Sequence, residues 1–322
     1  MTMTAEKHLL EKFRDPEWTA KGDKRATVPL VHLDTLWINT GTLCNITCRN
    51  CYIESSPTND RLVYLTLADV LPFLDEAKQL RTREIGFTGG EPFLNPDIIA
   101  MLTATLERGF EVLVLTNAML PMQRPKLKSG LLDLNARFAN KLTLRISLDH
   151  HAQEFHEIER GPGTWDKAVE GVDWLNTKGF KLAVAGRTCW GESEAAARAG
   201  YAKLFKDRNW HIDAGSHAAL TLFPEMDGGH DVPEITTACW GILKKSPSQM
   251  MCATSRMVVK RKGSAKPVVL PCTLLPYDEA FEMAETLAQS ATADGGMFDK
   301  GAVRLCHPHC ARFCVLGGGS CS

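Results

Sequence analysis

The stretch Cys44-Asn-Ile-Thr-Cys48-Arg-Asn-Cys51-Tyr52 constrains this chain more than any other. Three thiols at Cys-x3-Cys-x2-Cys spacing follow a short apolar run, and no histidine stands among them. That donor set suits an iron–sulfur cluster better than a zinc knuckle. A cubane cluster has four irons, so three neighbouring thiolates hold it and leave one iron open to a small molecule. An open coordination position is what separates catalytic from structural metal sites. The competing readings are a partial zinc site completed by a distant residue and three unrelated core thiols.

Composition narrows the setting. Eleven cysteines, an odd number in clustered spacings, argue for metal ligation over a disulfide framework. With 322 residues, 44% of them hydrophobic and 23% charged, the chain is globular and long enough for a large domain and a smaller one. Lys and Arg number 37 against 38 Asp and Glu, a formal net charge of −1 that offers no bulk attraction to nucleic acid or an anionic membrane. The opening Met1-Thr-Met-Thr-Ala-Glu-Lys-His lacks the apolar core of a signal peptide, and no apolar run is long enough to span a bilayer. A cytoplasmic protein is expected, with neither membrane nor nucleic acid as partner.

From residue 33 onward, apolar strand-like runs alternate with amphipathic helical stretches, the signature of βα units and a parallel sheet. Strands are expected at 33–39, 84–88, 111–116, 142–148, 180–187 and 219–223. Helices are expected at 67–80, 96–108, 131–139, 164–178 and 192–207, the first capped by Thr66 with Asp69 and kinked at Pro72. Residues 1–32 read as a polar extension, 33–235 as the βα core and 236–322 as a Cys-rich domain. Six units are fewer than the eight of a closed barrel, and functional groups in such folds sit on loops at the carboxyl ends of the strands. The cysteine loop follows the first strand. A second loop, Thr88-Gly89-Gly90-Glu91-Pro92, follows the second.

Together, in this order, the two loops resemble those of the radical S-adenosylmethionine (SAM) enzymes. The resemblance implies an α/β fold, a partial (βα)6 TIM-like barrel. It also implies a [4Fe–4S] cluster on Cys44, Cys48 and Cys51 whose open iron chelates SAM. One electron from a donor such as flavodoxin or ferredoxin would cleave the sulfonium, giving a 5′-deoxyadenosyl radical that takes hydrogen from a substrate. Asn50 stands where the family often carries an aromatic residue, with Tyr52 just after and assigned to the SAM site. Gly89 and Gly90 serve either an ordinary tight turn or close approach of SAM, and Glu91 is suited to the SAM ammonium. Ser147 and Asp149 match residues near the ribose, or are a strand-end cap and a turn acid. Thr116 and Asn117 line the pocket or make a turn. Arg187 pairs with the SAM carboxylate or forms an exposed salt bridge. In the segment Arg160-Gly-Pro-Gly163-Thr-Trp165, a structural role at a helix entry suffices. His150, His151 and His156 lie near the expected mouth and handle protons or solvate a loop; Cys189 reads as a buried apolar thiol.

Past residue 224 the rhythm stops and cysteines accumulate: Cys239, Cys252, Cys272, Cys306, Cys310, Cys314 and Cys321. A hairpin, 257–260 with 268–270, brings Cys252 near Cys272, and a helix is expected at 278–289. This succession resembles the SPASM/twitch extensions that hold auxiliary clusters. Seven thiols fall one short of two fully thiolate-ligated cubanes, so one auxiliary [4Fe–4S] cluster is expected, on Cys252, Cys272, Cys310 and Cys314. Cys306 is the alternative to either of the last two, Cys321 is a reserve ligand, and His307 and His309 stand among them. A structural zinc site is the competing reading. The function implied is a radical SAM enzyme acting on an unidentified peptide, protein or small molecule. The alternative is an iron–sulfur electron carrier or sensor without SAM turnover, against which Glu91 and the two glycines speak.

Overall fold

The computed structural model describes residues 11–224 and 231–317. In chain order it contains β1 (Thr27–Val28), β2 (Thr35–Asn39), α1 (Leu67–Gln79), β3 (Glu84–Thr88), α2 (Ile98–Glu107), β4 (Glu111–Thr116), α3 (Leu120–Gln123), α4 (Pro125–Phe138), β5 (Leu142–Ser147), α5 (Gln153–Arg160), α6 (Thr164–Thr177), β6 (Lys181–Arg187), α7 (Glu194–Asp207) and β7 (Leu220–Phe223). The tail adds α8 (Cys239–Leu243), β8 (Ser255–Val259), β9 (Val268–Leu270), α9 (Leu287–Ser290), β10 (Phe298–Asp299), β11 (Ala302–Arg304) and a π-helical stretch Cys310–Leu316.

Strands β2 to β7 pair in parallel in chain order, with helices in the connections, and form the partial barrel. Alternation of side chains along each strand divides the inside from the outside. Leu36 and Ile38 of β2, Ile85 and Phe87 of β3, and Val112 and Val114 of β4 pack with the helices in one core. Trp37 and Leu113, one residue out of phase, join a second core with the Cys-rich tail. Helix α1 starts at the capping box of Thr66 and Asp69 and continues through Pro72 as one helix. At that position, near the start, the ring removes only the backbone bond to Ala68.

Two expectations need correction. The sequence pattern predicts no helix at 153–160, where α5 stands: its sequence, Gln-Glu-Phe-His-Glu-Ile-Glu-Arg, buries the polar His156 and Glu159, so no apolar stripe marks it. The helix expected at 278–289 is a 3-10 turn, Glu279–Phe281, and the single turn α9. Between them the chain is extended, because Val269 and Met283 exchange backbone bonds with it: Val269 N–H donates to Ala284 at 2.7 Å and Met283 N–H to Val269 at 2.9 Å.

The tail and the amino-terminal segment are both fastened to the barrel. Strand β8 pairs in parallel with β2, Met257 opposite Trp37, and β9 returns antiparallel to β8, so one sheet runs across the 235/236 boundary. Strand β1 pairs with β11. Arg25 donates to Glu234 at 2.7 Å in a fully buried pair, and Glu234 also accepts the N–H groups of Phe13 and Ala20, each at 2.7 Å. Burial raises the Glu234 pKa, but these donors outweigh it and hold the carboxyl below its usual range. A depressed folded-state pKa gives stability that is present at neutral pH and lost on acidification. Replacing Glu234 by alanine should therefore cost about 3–5 kcal/mol in urea unfolding at pH 7, since Arg25 stays buried without its partner. The deficit relative to wild type should shrink as the pH falls through the acid range.

Candidate active site

A cavity of about 180 Å3 opens inside the barrel at the carboxyl ends of the strands. Cys44, Cys48 and Cys51 line one side, Gly89 and Gly90 the next, and Asn117, Ser147, Asp149 and Arg187 continue around it, with Tyr52 also on the wall. The strand residues reach it by alternation: Leu115 on β4, Arg145 and Ser147 on β5, Ala185 and Arg187 on β6 are spaced by two.

The cysteine loop and the Gly-Gly loop are stitched together beyond the ends of β2 and β3. Thr40 N–H donates to Thr88 O at 2.8 Å, Gly90 N–H to Gly41 O at 2.8 Å and Glu91 N–H to Leu43 O at 3.1 Å. A Cβ at Gly90 would lie 2.1 Å from Leu43 O, and Gly89 has φ +133°. Both glycines are therefore required by the packing of loop on loop, while they also line the cavity.

Glu91 is the one expected SAM contact that does not line the cavity. Its carboxylate, 2% exposed, accepts Thr116 Oγ1 at 2.8 Å and Phe93 N–H at 3.2 Å on Oε1, and Asn117 N–H at 2.9 Å on Oε2. Burial pushes its pKa up to about 7 against the pull of these donors. Asn117, so positioned, donates to Asn45 Oδ1 at 2.9 Å and lies 3.9 Å from Cys44 Sγ.

Across the cavity, the buried Asp149 lies between two guanidinium groups. Arg160 Nε is 2.8 Å and Arg187 Nε 3.4 Å from it. Burial alone would raise its pKa; the two cations outweigh burial and hold it below the usual carboxylate range. Arg187 also donates to Asn50 O at 2.9 Å, Arg49 N–H to Glu159 O at 2.7 Å and Asn50 Nδ2 to Glu159 Oε1 at 3.1 Å, so the ends of α5 and β6 clamp the cysteine loop. Asn50 thus serves the clamp. Sequence reasoning gave Arg160 only a helix-entry role; the signal that pointed to the site was its place immediately before the Gly161-Pro162-Gly163 turn and eleven residues after Asp149.

Burial raises the Cys44 pKa to about 12 and also raises Cys48, so neither thiol ionises readily without a cation beside it. Three thiols on one wall, glycine backbone and a carboxylate shared by two arginines are a donor set that fits a cluster with three protein ligands and a zwitterionic ligand beside it.

The tail gathers a second group. Cys252, Cys272, Cys310 and Cys314 line one cavity of about 20 Å3 with apolar neighbours and His309. Burial pushes Cys252 up to about 12 and Cys310 well above the ordinary thiol range. Arg256, fully buried, adjoins Cys252 and Cys272; it donates to Cys252 O at 2.6 Å and Ser255 O at 2.7 Å, and its Nε has no hydrogen-bond partner among the described residues. A buried cation suits an anionic metal–thiolate centre. Cys306 does not line this cavity and donates to Asp15 O at 3.3 Å; Cys239 accepts Thr236 N–H at 3.4 Å, and Cys321 lies outside the described residues. Leu274, fixed by a 3.1 Å contact of its carbonyl with His309 Nδ1, lines both this cavity and the inner one.

The histidines fall elsewhere. His150 Nδ1 accepts Ala152 N–H at 2.9 Å, so the neutral ring carries its proton on Nε2 and donates it to Glu192 at 2.9 Å. No lone pair is left for a metal, although His151 stands beside Glu192 as well. His156 is fully buried within α5, its pKa lowered to about 3 by burial and by Arg160. Cys189 is half-buried.

Fold and site define a partial barrel with three cysteines on one wall of the cavity at its mouth. Residues 38–189 match the model of the radical SAM superfamily, and the Cys-rich carboxyl-terminal region follows the matched stretch. It is similar to the antilisterial bacteriocin subtilosin biosynthesis protein AlbA of Bacillus subtilis, 28% identical over 143 residues, 44% of this chain and 30% of that protein. It is also similar to the GTP 3′,8-cyclase of Pseudomonas fluorescens, 28% identical over 151 residues, 46% of this chain and 43% of the cyclase. The chain thus matches less than half the length of these relatives. Among solved structures, SuiB of Streptococcus suis bound to S-adenosylmethionine aligns with TM-score 0.60 at 15% identity, covering 83% of this chain and 67% of SuiB. The anSMEcpe structure with AdoMet and a peptide aligns with TM-score 0.52 at 16% identity over 79% of each chain. At such identities the likeness is one of fold.

Replacing Gly90 by alanine tests the stitched loops. The added methyl must displace the Leu43 carbonyl next to Cys44, so the variant should keep its far-ultraviolet dichroism and lose most of the iron taken up by wild type on anaerobic reconstitution.

Proposed function

We propose that this protein is a cytoplasmic radical SAM enzyme. On this reading residues 33–235 bind a [4Fe–4S] cluster and SAM, and residues 236–322 hold one auxiliary [4Fe–4S] cluster. The observation that carries the reading is the single cavity shared by Cys44, Cys48 and Cys51, the Gly89-Gly90 backbone and the arginine-flanked Asp149. When bound, the cluster and SAM would supply reductive cleavage of the sulfonium and a 5′-deoxyadenosyl radical for hydrogen abstraction from an organic substrate.

The chain's own residues bind and orient. The three thiolates hold the cluster and the open barrel mouth leaves room for its fourth position. Two guanidinium groups on one carboxylate leave a surplus positive charge in the cavity, and Arg187 Nη1 has no hydrogen-bond partner among the described residues, so Arg187 can take the SAM carboxylate. Glu91, buried behind the cavity wall, accepts Thr116 Oγ1 and Asn117 N–H and so fixes both residues on the wall, acting on the SAM site through them. Ser147 and Asp149 face the ribose side, and Tyr52 packs beside the cluster loop. Cys252, Cys272, Cys310 and Cys314 would ligate an auxiliary cluster with four protein thiolates, and such a cluster would supply electron transfer or substrate positioning.

Reconstituted anaerobically and given SAM and dithionite, the wild type should form 5′-deoxyadenosine. Cys48→Ala should form none, yet stay soluble and folded, because the apolar strand and helix positions make the core. Retention of wild-type cleavage in that variant would refute the assignment of the cluster. Iron counting tests the tail: wild type should carry about eight irons and a variant with both Cys252 and Cys272 changed to alanine about four, at four per cubane. Four irons and one zinc in wild type would establish a structural zinc site there.

A further inference from the structure

Beside the cysteine loop the surface opens into a groove of about 910 Å3. Asn45, Ile46 and Thr47, the residues between Cys44 and Cys48, form one wall of it. Arg160 borders both this groove and the inner cavity that Cys44, Cys48 and Cys51 line. The groove is basic on a chain with net charge −1: Arg124, Lys128 and Lys167 line it against one carboxylate, Glu170, while Arg160 is already paired with Asp149. The Lys128 ammonium lies 4.8 Å over the Trp174 ring, which fixes its direction, and Leu120, 64% exposed, adds an apolar contact.

We propose that this groove docks the protein that delivers the electron, a small acidic one-electron carrier of the flavodoxin or ferredoxin class. The inference rests on the radical SAM reading above, which requires an electron from outside. One electron leaves the reduced carrier, which is oxidised, and enters the cluster held by Cys44, Cys48 and Cys51, which is reduced; no atom or proton need move with it. An apolar contact among mostly basic side chains is what a transient redox encounter uses, since opposite charge raises the association rate without binding so tightly that the spent carrier stays. The loop between two cluster ligands supplies the short path.

Charge reversal separates this role from the chemistry. The double variant Lys128→Glu/Lys167→Glu, driven by reduced flavodoxin at low ionic strength, should form 5′-deoxyadenosine at least about ten-fold more slowly than wild type, the size of a lost steering field. Driven by reduced methyl viologen, a small cation with no need of a docking surface, the same variant should match wild type, which also shows that it is folded and loaded. Flavodoxin binding, titrated calorimetrically without SAM, should weaken at least about ten-fold in the double variant, and added salt should weaken it for wild type while leaving the viologen-driven rate alone. An unchanged flavodoxin-driven rate would overturn the proposal. So would an equal loss with both reductants, because the lysines would then be supporting the site itself. Wild type that forms no 5′-deoxyadenosine with either reductant would instead sink the radical SAM reading beneath it.

Discussion

The shared ion pair of Asp149 with Arg160 and Arg187 is the interaction on which the site depends. It joins the loop just past β5 to the last residue of α5 and the last residue of β6. Through Arg187 on Asn50 and Glu159 on Arg49 and Asn50, the same junction grips the cysteine loop. Burying two guanidinium groups carries a desolvation cost, offset only while the carboxylate is ionised between them. Buried charge here gives geometry more than stability: it sets where three thiols stand relative to the strand ends.

The barrel itself was legible because its strands are buried apolar runs separated by capped amphipathic helices, and these patterns depend on local sequence alone. The expected strand at 84–88 and that at 111–116 coincide with β3 and β4. Helix α5 was not legible, and the reason is physical. His156, Glu159 and Arg160 turn polar groups inward toward Asp149 and the cysteine loop, so the period that marks a helix against an apolar core is missing where the partner is a charged site. The glycines of the second loop were legible as a motif, but not their reason: only the approach of Leu43 O shows that backbone packing demands them.

In the tail, spacing along the chain was a weaker guide than topology. A hairpin brings its ends together, and Cys252 and Cys272 flank β8 and β9 as the sequence pattern implies. The choice among the later cysteines depends on how the chain folds back after β11, which no local signal encodes. There the chain turns Cys306 toward the amino-terminal segment and Cys310 and Cys314 toward the hairpin. Hydrogen bonding of Val269 to residues 283 and 284 likewise overrides the helical pattern of that stretch.

Leu274 gives the two cysteine groups a relation that neither motif contains. As a side chain common to both cavities it makes them adjacent rooms with one partition, not compartments of separate domains. The volume of each is therefore not an independent variable. An occupant of the barrel that presses on its Leu274 side meets the same side chain that borders the four-thiol chamber, so bulk admitted on that side bears on the tail.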